Sequence, residues 1–291
     1  MKNNPAPRRA LCAAVFLAGL FSSTALAADA WKPLFNGHDL SNWEMFMTNP
    51  DPSWNVPGLK RDASGKYLEP TGKNNDPLHV FNVETVDGQP AIHVTGQGFG
   101  VITSAESFSN FHVRLQIKWG ERKWGSKINA PRDAGLLYFV NGEPGFDHAT
   151  WPRSVEFQIQ EHDIGDLYAL GTQITVNARH EGRLWLYDPK GEPTLFTQKP
   201  PVGNRCVKLG DPEKPNGQWN TLDLYCIGSD SIHVVNGQVV MRLHAAQRLD
   251  GPAPAPLSSG HISLQTEGAE VYYRAVEITP LAEFPAELMA H

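Results

Sequence analysis

Two rows of polar side chains are the places where this chain could do chemistry. Val155-Glu156-Phe157-Gln158-Ile159-Gln160 alternates apolar and polar residues, which in a strand puts Glu156, Gln158 and Gln160 on one face. His112 to Lys118 alternates in the same way and aligns Arg114, Gln116 and Lys118. Rows of carboxylate, amide and cation suit the paired donors and acceptors that sugar hydroxyls require. Trp119, Trp124, Trp151 and Trp185 lie close by in sequence, and flat rings stack on the C–H faces of a pyranose. The expectation is a sugar-binding sheet face; the competing reading is a solvated outer face with ordinary core tryptophans.

Glu156 and Glu161 offer a second chemistry. Their odd separation places them on opposite faces of a regular strand. A β-bulge would unite them, as a retaining glycosidase with carboxyls roughly 5–5.5 Å apart requires. His162, just past that strand, is the side chain whose ordinary pKa suits proton transfer near neutrality. Asp133, Glu156, His162, Asp163 and Asp166 are hard oxygen and imidazole donors for a possible divalent metal, although their spacing fits no tight ligand motif.

The elements that would hold these residues are strands. His261 to Gln265 alternates like the two rows above. Asp87-Gly88 and Asn236-Gly237 separate strand-like runs and suit tight hairpins, whose central residues need positive φ. Residues 49–76, 188–215 and 250–259, rich in turn formers or proline, read as long loops on one sandwich rather than as interdomain linkers.

The first residues read as a sorting signal. Lys2, Arg8 and Arg9 precede an apolar run from Ala10 to Leu20, and Ala25-Leu26-Ala27 has the small-x-small pattern of a cleavage site. Residues 1–27 are thus predicted to be removed on export to the periplasm or the medium, leaving 28–291 as a single domain. The formal charge moves from −6 to −9 with their loss. The absence of a Lys/Arg-rich run argues against nucleic acid and against an anionic membrane surface. Cys206 and Cys226 remain, and an oxidising compartment permits a disulfide between them; two buried thiols are the alternative.

Several stretches in order resemble one family: Leu34-Phe35-Asn36-Gly37-His38-Asp39-Leu40-Ser41-Asn42-Trp43, Arg132-Asp133-Ala134-Gly135-Leu136-Leu137-Tyr138, Trp151 to Gln160, Gly165-Asp166, Gly217-Gln218-Trp219-Asn220, Gly260 to Gly268 and Tyr273-Arg274. They are similar to the 3-keto-disaccharide hydrolase domain family. That resemblance implies an all-β, two-sheet antiparallel jelly-roll sandwich of the concanavalin A-like type. It also implies an enzyme that cleaves 3-keto-glycosides. A C3 ketone acidifies the C2 hydrogen, a base removes it, and the enolate expels the C1 oxygen. An oxidoreductase that makes the keto sugar would be a pathway neighbour.

On this reading Glu156 is the first choice of base and His162 the second, with Lys118 or Arg132 supplying positive charge for the enolate. Arg132, Asp133, Tyr138, Trp151, Gln158, Gln160, Gln265, Glu267 and Arg274 are the expected substrate contacts. Four positions depart from the family pattern: Ala275 stands where many members have Asn, Asp133-Ala134 where many have Asn-Ser, and Glu267 where some have His. Glu156-x-Gln158-x-x-Glu161 is similar to the Glu-x-Asp-x-x-Glu of jelly-roll glucanases, with the central acid replaced. A lectin-like module that binds glycans without cleaving them is the non-enzymatic alternative.

Overall fold

The computed structural model describes Met1 and residues 31–289; the predicted sorting signal lies outside the described residues. From Trp31 onward the chain forms two antiparallel sheets. The larger runs, through hydrogen-bonded neighbours, in the order Leu184–Tyr187, Thr172–Glu181, Gln238–Arg248, Asp230–Val235, Asn220–Ile227, Phe111–Lys123, Ala269–Pro280, Gln89–Val94, Phe81–Val86, with Lys32–Pro33, Glu192–Thr197 and Ala255–Pro256 pairing alongside Ala269–Pro280, Thr172–Glu181 and Gln238–Arg248. The smaller runs in the order Arg205–Cys206, Leu167–Leu170, Arg153–Gln160, Asp133–Asn141, His261–Glu267, Phe99–Ser104, Trp43–Met47, Gly72–Lys73. Neighbours distant in sequence sit side by side, as in a jelly roll. Among the described residues no helix is long and apolar enough to cross a membrane.

The core lies between the sheets and follows from the alternation. Val155, Phe157 and Ile159 from the small sheet and Val113, Leu115 and Ile117 from the large one are fully buried in one cluster. Both predicted hairpins form, with positive φ at Asp87, Gly88, Asn236 and Gly237. The segment 188–215 is not a plain loop: Glu192–Thr197 pairs with Thr172–Glu181 and Arg205–Cys206 with Leu167–Leu170. Hydrogen bonding to those exposed edges outweighs its proline content.

Two expectations are corrected here. Cys206 and Cys226 are buried free thiols, one on each sheet, and burial pushes both up in pKa. The two polar rows do not share a face: Arg114, Gln116 and Lys118 belong to the large sheet, Glu156, Gln158 and Gln160 to the small one. Alternation assigns residues to the inside or outside of a sandwich, but each sheet has its own outside. Ala275 sits where the ladder shifts register between Arg274 and Glu277, at φ +48°. Asn tolerates that left-handed conformation better than Ala, so the departure at Ala275 concerns the backbone of the large sheet.

Candidate functional site

The free face of the small sheet carries a groove of about 430 Å³. Glu156, Gln158 and Gln160 form one row of its floor, on the strand whose other face packs Phe157 into the core. Tyr168, on the neighbouring strand, pairs directly with Glu156. Asp133 comes from the opposite neighbour, paired with Gln160. Glu267 lies beyond it, at the end of His261–Glu267. Phe99, Trp151 and Leu170 give the groove an apolar wall, and Trp151, Leu170 and Val101 form a separate buried cluster beneath it.

Glu156 is a buried acid of this floor. Desolvation lifts its pKa well above the usual carboxylate range, and the charges of Glu267, Asp133 and Asp147 add to the shift. Gln265 adjoins it: a Cβ on Gly135 would strike both Gln265 Oε1 and Glu156 Oε1. An amide beside a carboxyl serves either protonation state, donating to the anion or accepting from the acid. Gly135 is therefore needed for close approach rather than for backbone freedom. Gly135→Ala is expected to leave the melting temperature within a few degrees, because the atoms it meets end flexible side chains. It should weaken glycan binding severalfold by displacing Glu156 and Gln265, as titration calorimetry would show.

Lys127, on the single turn Gly125–Lys127, pairs with Asp133 and lies 3.8 Å from Glu267 Oε1. Burial raises the pKa of both Asp133 and Glu267, with the charge of Asp163 adding at Asp133 and that of Asp133 adding at Glu267, while Lys127 opposes both shifts. On the rim, Asp147 Oδ2 holds His148 Nδ1 at 2.8 Å, and Gln198 donates to Asp147 Oδ1 at 2.7 Å. Gln158 Oε1 accepts from its own neighbour Ile159 N at 2.9 Å, which leaves the amide nitrogen for the groove. The Tyr168 hydroxyl is raised in pKa by burial and stays an O–H donor.

Of the predicted contacts, the groove gathers Glu156, Asp133, Gln158, Gln160, Trp151 and Glu267, with Gln265 beside them. The others lie elsewhere. Lys118 is on the large sheet, bonded to Asp87 at 2.9 Å, and Arg274 stacks on Trp219 at 3.9 Å while donating to Gln116. Tyr138 points into the core, where its hydroxyl meets Ser231 and His233 at 2.8 and 3.1 Å. Arg132 is tied to Glu161 and to the Gly120 carbonyl. His162 is 83% exposed in the turn after the strand, 3.8 Å from Asp211.

These placements bear on the metal and on the carboxylate pair. Among the described residues no group of three or more His, Cys, Asp and Glu is arranged to hold a metal ion. Asp166 and Asp163 are bound by Arg205, and a lysine already sits between Asp133 and Glu267. The residues named for a divalent cation therefore do not fit one. Glu161 faces Arg132 and Asn216 and forms no pair with Glu156, since the ladder from Asp133 to Tyr138 is regular and no bulge intervenes.

Sequence reasoning missed Lys127, Tyr168, the Asp147–His148 pair, Phe99 and Asn204. Only Tyr168 had a usable signal. A tight turn after Gln160, marked by Gly165-Asp166, folds the next strand back onto Glu156.

The model of the 3-keto-α-glucoside-1,2-lyase-like domain matches residues 30–279. The chain belongs to that family. Family membership makes it a carbohydrate-active protein. Among solved structures it is similar to a candidate glycosyl hydrolase from Parabacteroides distasonis, at 18% identity and TM-score 0.45 over 86% of this chain and 94% of that one. It is also similar to the carbohydrate-binding module CBM66 from Bacillus subtilis, at 11% identity and TM-score 0.40 over 68% and 91% of the two chains. No curated protein matches the chain.

Proposed function

We propose that this family member cleaves the glycosidic bond of 3-keto-glycosides by removing the C2 proton and expelling the C1 oxygen. The observation that carries the reading is the Glu156 carboxyl, buried in the groove floor with its proton affinity raised by burial and by neighbouring acids. A base so tuned suits a carbon acid activated by an adjacent ketone. Glu156 takes the C2 proton, and the C2–H electron pair becomes the enolate, with charge on the C3 oxygen. The Tyr168 O–H and the Gln158 amide donate to that oxygen. The enolate then re-forms the ketone, its pair makes the C1=C2 bond, and the C1–O bond breaks. The protonated Glu156 or a water gives the leaving oxygen its proton, and water added later across C1=C2 completes a net hydrolysis. Trp151 and Phe99 stack on the ring, while Gln160 and Asn204 take remaining hydroxyls. We also infer export to the periplasm or medium, from the sequence of residues 1–27.

The test is a pair of chromogenic glucosides, one oxidised at C3 and one not, incubated with the purified protein. Release from the keto sugar alone is expected. Equal release from the unoxidised glucoside would turn the reading to an ordinary glycosidase. Glycan binding without release from either would make the protein a binding module.

A further inference from the structure

A second cavity, of about 620 Å³, adjoins the groove and shares Phe99 with it. Its walls are Trp54 and Trp124, whose rings meet edge to face at 6.3 Å. Both rings are fixed. Trp124 donates from Nε1 to the Thr95 carbonyl at 2.9 Å and from its backbone to Gly268 at 2.8 Å. Trp54 lies over Gly98, where an added Cβ would come within 3.2 Å of the ring. Its carbonyl accepts from the buried Tyr67 hydroxyl at 2.6 Å.

Trp124 and Lys127 share one short segment, and Gly268 directly follows Glu267. The tryptophan cavity therefore opens at the acid end of the groove, beside Asp133 and Glu267. We propose that it is the subsite for the leaving group, and that it takes a planar aromatic aglycone rather than a second sugar. This rests on the keto-glycoside reading above. A second sugar needs paired donors and acceptors, and most polar side chains here are engaged: Asn49 donates to the Tyr67 carbonyl, Asp51 accepts from Ser53 and Ser64 donates to Asp62, which leaves only the exposed Lys66 and Ser126. With its N–H satisfied internally, the Trp124 ring presents carbon to the cavity, and Gly98, Gly125 and Gly268 add flat backbone. Such a slot suits offset or edge-to-face stacking of a flat ring.

The experiment compares 4-methylumbelliferyl and methyl 3-keto-glucosides on the wild type, Trp54→Ala and the milder Trp54→Phe. It also measures binding of free 4-methylumbelliferone by calorimetry. Trp54→Ala should raise KM for the aryl substrate about tenfold, the size of one lost stacking contact, and leave the methyl substrate unchanged. Trp54→Phe should fall between. Equal effects on both substrates, or coumarin binding undiminished in Trp54→Ala, would overturn the subsite. Absence of turnover in the wild type would count against the keto-glycoside reading alone, because loss of coumarin binding still decides the subsite.

Discussion

Glu156→Gln is expected to lower kcat on a 3-keto-glucoside by roughly 10²- to 10⁴-fold while KM changes little, the usual scale for loss of a positioned base. The wild-type pH profile should show the same group. The base works as the anion, and its pKa is raised, so kcat/KM should fall as pH drops through a limb above the ordinary carboxylate range. In Glu156→Gln that limb should vanish. Stability provides a control with the opposite sign. A carboxyl that binds its proton more tightly in the folded state favours unfolding as pH rises from its unfolded toward its folded pKa. At neutral pH the Gln variant should thus melt no lower than the wild type. Retained turnover with an intact acid limb would move the base to His148, which Asp147 holds on the rim.

Tyr168→Phe should cost roughly 10²- to 10³-fold in kcat, the range for one donor aimed at a developing oxyanion. The ring keeps its place beside Glu156 and under Arg205, so affinity for an unreactive glycan should be nearly unchanged. Single-turnover kinetics with the keto sugar separate the two effects. A rise in KM with kcat intact would make Tyr168 a substrate contact and leave the Gln158 amide to meet the enolate.

The departures from the family pattern divide along the same geometry. Ala275 lies at a register shift of the large sheet and concerns backbone strain there. Glu267 and Asp133 stand in the groove with Lys127 near them, so on the proposed reading they would bear on the sugar.

By itself the sequence determined the alternating strands around His112 to Lys118, Val155 to Gln160 and His261 to Gln265, the two hairpins and the identity of the central row. A period of two separates Val155, Phe157 and Ile159 from Glu156, Gln158 and Gln160 without any long-range information. The family resemblance added Asp133, Gln265 and Glu267, since those residues lie in its quoted motifs. Only the tertiary structure decided which polar row faces the groove. His112 to Lys118 and Val155 to Gln160 carry the same pattern, and strand order alone assigns them to different sheets. The same order turned Tyr138 into the core and left Cys206 and Cys226 apart. It also brought Lys127 to the acids from a segment with no local signal, and Tyr168 by a turn that Gly165-Asp166 marks. Local alternation fixes a side chain's inside or outside, whereas a site is made by contacts between strands far apart in the chain, which no local period encodes.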